Sequence, residues 1–111
     1  MNKETTDRAR QLLIKARNIL ETNGWHQGAY AANLGGRAAV CALGALNMAS
    51  TDVSAFTHYD SDWVPMLSAQ VRLAKAAGLG GFARERIPAW NDDPRTTAED
   101  VLLAFKKAAE L

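Results

Sequence analysis

At 111 residues the chain matches a single domain of roughly 100–150 residues. With 48% apolar residues and an ordinary 23% charged fraction, it has the material for a core and argues against extended disorder. A net charge of +1 argues against nucleic acid, where affinity comes from neutralising many phosphates.

The nearest thing to a basic cluster, Arg8, Arg10, Lys15 and Arg17 behind Lys3, shares a segment with a clear apolar stripe and reads as its solvated face. Cys41 is the single cysteine, so neither an intrachain disulfide nor a cysteine-based zinc cage can form. The opening Met1-Asn2-Lys3-Glu4-Thr5 has no signal-peptide core. No stretch approaches the ~20 apolar residues of a membrane span. These features predict one cytoplasmic domain over 1–111, with no membrane and no cofactor.

A first helix is expected from about Thr6 to Asn23. Ala9, Leu12, Leu13, Ala16, Ile19 and Leu20 repeat at helical spacing, Thr5 or Thr6 can cap the start, and Gly24 suits a left-handed C-terminal position. Next, short apolar runs around Gly35-Gly36 predict a small β-hairpin near 27–40, with strands near 27–32 and 37–40. Such a hairpin is marginal alone and must lie against helices. The run from Ala38 to Ala49 is apolar nearly all round, which places a helix in the middle of the fold.

Ser50 to Asp62 is polar and reads as a surface loop. A helix should start near Asp62 or Trp63, with Ser61 or Asp62 as cap and Pro65 in its first turn. Val64, Leu67, Val71 and Ala74 form its expected inner stripe, and Gly78 its end. Leu79-Gly80-Gly81 turns the chain, and Phe82 to Arg86 forms a short helical turn. Ile87 to Pro94 reads as a loop between two prolines. A last helix follows, with Thr96 and Glu99 as its capping box and Val101, Leu102, Phe105, Ala108 and Ala109 as its apolar face. The expected fold class is mainly α (a small α+β domain): about four helices around a central apolar helix, with the hairpin packed alongside.

Four sequence blocks are familiar in combination: Gly24-Trp25-His26-Gln27-Gly28, Cys41-Ala42-Leu43-Gly44-Ala45-Leu46, Trp90-Asn91-Asp92, and Arg95-Thr96 followed by Glu99 and Val101. In this order they resemble a family of small proteins from actinobacteria and their phages, described only as a domain of unknown function. The likeness runs from the first helix to the last. The stretch between the Gly-rich turn and the cysteine is often longer in that family, and Ser50 to Trp63 carries none of the matching blocks. The resemblance implies a shared fold and a bacterial or phage source; it implies no activity.

Cys41 at a helix start, followed by His58 and Asn91, has the chain order of a papain-like nucleophile, base and orienting amide. Cysteine in an apolar run is more often a small buried hydrophobe. His26, Cys41, His58, Asp60 and Asp62 lack metal-ligand spacing, so no metal is expected. Gly78-Leu79-Gly80-Gly81 follows a helix and reads as its stop, not a nucleotide loop. Trp25, His26 and Gln27, and Trp90, Asn91, Asp92 and Asp93, are the better candidates, because aromatic and amide or carboxylate groups together in loops suit ligand or partner binding. The competing reading is a Trp plug under each loop, with Asn and Asp bonding backbone. The sequence therefore points to a non-enzymatic binding module for a host protein or a small-molecule ligand. A small thiol enzyme using Cys41 and His58 is the alternative, and a homodimer through the apolar helix stays open.

Overall fold

The computed structural model describes residues 3–28, 31–34, 37–54, 59–80 and 82–111. Their order is α1 (Lys3–Asn23), β1 (Ala31–Leu34), β2 (Arg37–Val40), α2 (Ala42–Ser54), α3 (Tyr59–Ala76), α4 (Ala83–Asp92) and α5 (Ala98–Glu110). The protein is mainly helical. None of the described helices is long and apolar enough to cross a membrane.

α1 starts at Lys3, so Thr5 and Thr6 lie within its first turn instead of capping it. Its stripe is buried as the spacing dictates, through Ala9, Leu12, Leu13, Ala16 and Leu20. The Gly24 N–H donates to Leu20 O at 2.9 Å, with Gly24 at φ +97°. That is a left-handed cap, and a Cβ there would meet Ala39 only at an ordinary 3.7 Å. Conformation, not space, therefore requires glycine.

β1 and β2 pair antiparallel, with Ala31 opposite Val40 and Leu34 opposite Arg37. The first strand begins at Ala31, later than expected, and the Gly35-Gly36 turn lies outside the described residues. Residues just after α1 instead bridge β2 in the parallel sense at Trp25 and Val40. The Val40 N–H donates to Gly24 O at 3.0 Å, and the His26 N–H donates to Val40 O at 2.9 Å. The end of α1 is thereby tied to the strand that leads into α2.

α2 is buried at Ala42, Leu43, Ala45, Leu46 and Ala49, and packs on α1, α3 and α4. Two sequence expectations fail beyond it. The polar segment 50–62 is not one loop, because α2 continues to Ser54 and α3 already starts at Tyr59. Asp, Ser and Thr disfavour a helix interior only weakly, and continuation of the flanking helices overrides that preference. Pro65 accordingly lies inside α3 and not in its first turn.

The inner face of α3 is also different. Ser68, Ala69, Gln70, Leu73 and Ala74 are buried, whereas Val64, Leu67 and Val71 are 39%, 40% and 54% exposed. The helix carries two apolar stripes, and the one richer in small residues faces α1 and α5, where a close approach needs it. Its end is a Schellman turn: Gly78, at φ +76°, donates to Lys75 O, and the Leu79 N–H donates to Ala74 O. Gly81 lies outside the described residues.

The segment expected as a short turn and then a proline-bounded loop is one helix, α4, with Pro88 inside it. An internal proline costs a helix about 3 kcal/mol. Burial of Ile87, at 0% exposure, and of Asn91, at 1%, opposes that cost on the helix's inner side. α5 is capped one residue later than expected, by Thr97 with Asp100 and not by Thr96 with Glu99. Thr96 is buried and its N–H donates back to Asp93 O at 2.9 Å, whereas the exposed Thr97 hydroxyl accepts from the Asp100 N–H at 3.1 Å. Val101, Ala104, Phe105 and Ala108 complete the core around Leu13, Leu46, Leu73 and Ile87. A fully buried side chain of the size of Leu or Phe contributes ~1.5–3 kcal/mol.

Candidate functional site

The centre of the candidate site is Asn91, in the last turn of α4 and one turn beyond buried Ile87, which directs it inward. Its side-chain oxygen accepts from the Trp25 indole Nε1–H at 2.7 Å and from the Ala42 N–H at 2.9 Å. Its Nδ2 donates to His26 O at 3.1 Å and to Asp92 Oδ1 at 3.0 Å. Two acceptor and two donor sites are thus all in use. Ala42 opens α2, so its N–H has no partner within its own helix, and Asn91 supplies one from 49 residues away.

Around this side chain the two sequence clusters close on each other. Gln27 Nε2 donates to Asn91 O, a carbonyl that the end of α4 leaves open, and to Asp93 O, which also accepts from the Thr96 N–H, both at 3.0 Å. The Gly28 N–H donates to Asp92 Oδ1 at 2.8 Å. That amide, with the Asn91 amide second, holds the Asp92 carboxyl below its ordinary pKa, and His26 adds a smaller pull. Asp93 is gripped by Arg95: Nε reaches Oδ1 at 3.1 Å, Nη2 reaches Oδ2 at 2.9 Å and the backbone N–H reaches Oδ1 at 2.8 Å. The guanidinium, then the amide, lowers the Asp93 pKa to about 2, and Asp93 in turn raises that of Arg95.

The two predicted clusters therefore meet at one junction through Trp25, Gln27, Asn91, Asp92, Asp93 and the His26 carbonyl, while the Trp90 side chain faces a separate groove, and the residues do not lie in loops alone. Trp90, Asn91 and Asp92 belong to the C-terminal turn of α4. The Trp25 indole, the Gln27 amide and the Asn91 amide bond within the junction, as the competing reading of these residues anticipates. Asp92 is exposed, His26 and Asp93 are partly exposed, and Trp90 is half-buried. Trp90 lines an open groove of about 210 Å³ with Ala76, Ala77, Asp100, Leu103 and Lys107, and Trp25 lines another of about 300 Å³ with Glu21 and Leu102. Arg95 and the Ala42 N–H were not among the sequence candidates. The Asp93-x-Arg95 spacing was a usable signal for the first; nothing in the sequence marks the second.

Cys41 occupies the N-cap position of α2, where its Sγ accepts from the Gly44 N–H at 3.2 Å and its carbonyl from the Ala45 N–H at 2.9 Å. The thiol residue is 7% exposed. Asn91 directs its amide donors to His26 and Asp92, and His58 lies outside the described residues. Among the described residues, no three of His, Cys, Asp and Glu are grouped to hold a metal.

No curated protein and no solved structure matches the chain. Residues 4–111 do match the model of a protein family, and by that match the chain belongs to the family of unknown function DUF6197.

Proposed function

We propose that the protein is a non-catalytic binding module, of bacterial or phage origin and cytoplasmic, that engages a host protein through the surface over the Trp25–Asn91 junction. The observation that carries this reading is the saturation of Asn91. With four hydrogen bonds made inside the domain, its amide holds α4, the start of α2 and residues 25–28 as one rigid platform. What the platform offers outward is the Asp92 carboxylate, kept ionised by the Gly28 and Asn91 donors, the Asp93–Arg95 pair and the Trp90 ring. An aromatic face beside fixed charges is the composition of an interface hot spot. The grooves beside Trp25 and Trp90 are open, and at or below the ~300–1,000 Å³ that drug-sized ligands fill, which favours a protein partner over a small molecule.

The test uses the double variant Trp90→Ala with Asp92→Asn, in which the amide oxygen keeps an acceptor for Gly28. The expected result is loss of a protein that the unaltered chain captures from bacterial lysate, with circular dichroism and melting temperature retained. Equal capture by both proteins would contradict the reading. A fall in helix content would show instead that these two residues hold the fold.

A further inference from the structure

Basic side chains from two helices gather at the end of α5. Arg10 of α1 donates from Nη2 to Leu111 O at 2.8 Å, and Arg72 of α3 donates to the same oxygen from Nη1. Arg72 Nε donates to Ser68 Oγ at 3.4 Å, a second bond that fixes the guanidinium along α3. Lys75 follows in the last turn of α3 and is exposed. Arg10 also faces Asp7 at 3.9 Å, a solvent-exposed pair of little strength.

Arg72 and Lys75 line an open groove of about 490 Å³ with Leu67, Ser68, Val71 and Leu111. None of the described residues lining it is acidic, so its side-chain charge has one sign. Leu67, Val71 and Leu111 supply exposed aliphatic surface in the same groove. Its volume exceeds that of the grooves beside Trp25 and Trp90 and falls within the ~300–1,000 Å³ that small ligands fill. The chain already sets matching chemistry there, because the Leu111 oxygen takes two guanidinium bonds while the residue's aliphatic side lines the groove. An anion with an aliphatic tail satisfies both kinds of lining. The bonds within the domain leave Arg72 Nη2 and the Lys75 ammonium unused, two donor groups for the two oxygens of one carboxylate.

We propose that this groove binds a free aliphatic carboxylate of medium chain length. Its head lies between Arg72 and Lys75, and its tail runs along Val71, Leu67 and Leu111. The wall from Leu67 to Lys75 measures about 12 Å along the helix, which sets the length of tail it covers. The site shares no residue with the Trp25–Asn91 junction and stands whether or not that surface binds a protein.

Calorimetric titration of the full chain with sodium decanoate, below micelle formation, tests it. The expected result is saturable binding of one decanoate per chain. Lys75→Glu should weaken it at least tenfold by reversing a charge, and Leu67→Asn with Val71→Asn should do the same by removing the aliphatic wall. All three positions are exposed, so melting temperature and circular dichroism should hold, and Lys75→Glu alone decides if the asparagine pair lowers them. Decyltrimethylammonium, with the same tail and the opposite charge, should bind at least tenfold more weakly. Absence of decanoate binding at millimolar concentration overturns the proposal, as does equal affinity for the cation or indifference to Lys75→Glu. Co-sedimentation of the protein with phosphatidylglycerol vesicles also overturns it, since a lipid surface would then supply both anion and tail.

Discussion

The indole N–H of Trp25 and the side-chain oxygen of Asn91 meet at 2.7 Å across 66 residues of chain. The same oxygen accepts the first amide of α2, so one atom couples the segment after α1, the start of α2 and the end of α4. Buried amide networks of this kind are costly to break in part, because every partner left behind is a desolvated polar group without a bond.

Asn91→Ala should therefore destabilise the protein by about 2–4 kcal/mol, read as a lower urea midpoint at unchanged slope. Trp25→Phe removes one of the four bonds and should cost about 1–2 kcal/mol. Combined in a double-mutant cycle, the two changes should be less than additive by about 1 kcal/mol, the signature of direct contact. Additive losses would mean that the bond contributes nothing beyond packing.

Acid should loosen the same junction. Asp92 and Asp93 have folded pKa values below the ordinary 3.8, Asp93 at about 2. A group depressed on folding stabilises the fold above its unfolded pKa, and that contribution is lost as pH falls through the folded value. Stability should decline between about pH 4 and 2, and Asp92→Asn should flatten part of that decline. A carboxyl carbon titration by NMR checks the assignment. Asp93 should titrate near 2; a midpoint near its ordinary value would show that the Arg95 pair does not form in solution.

Cys41 separates the binding reading from the thiol-enzyme alternative. As a buried N-cap whose sulfur accepts from Gly44, it should react with iodoacetamide at pH 6 more than about tenfold slower than free cysteine, and rapidly only in denaturant. Fast labelling of the folded protein would revive a catalytic role.

Much of this fold is legible in the sequence where one face is plainly apolar and its end plainly marked. The α1 stripe, its Gly24 stop, the Gly78 stop of α3 and the Val101–Phe105–Ala108 face of α5 are all of this kind. α3 defeats the same reasoning because it has two apolar stripes. Periodicity finds both but cannot say which one packs on α1 and α5, and the bulkier one ends outward. α4 is hidden by Pro88, which reads locally as a breaker while Ile87 and Asn91 anchor the helix from the core. Both halves of the site carry recognisable side chains in the sequence. Their joining does not, because it depends on a bond between positions 66 apart and on a backbone amide of α2 that no side chain advertises.

The measurement that bears most directly on the account is hydrogen–deuterium exchange at the tryptophan indoles, followed by NMR on the folded protein. If the Trp25–Asn91 bond holds the platform, the Trp25 Nε1–H should exchange only through global unfolding, as slowly as the core amides of α1, and Asn91→Ala should release it. The half-buried Trp90 indole serves as the comparison within the same molecule. A Trp25 indole that exchanges within seconds in the unaltered protein would contradict the rigid platform and the binding surface proposed on it.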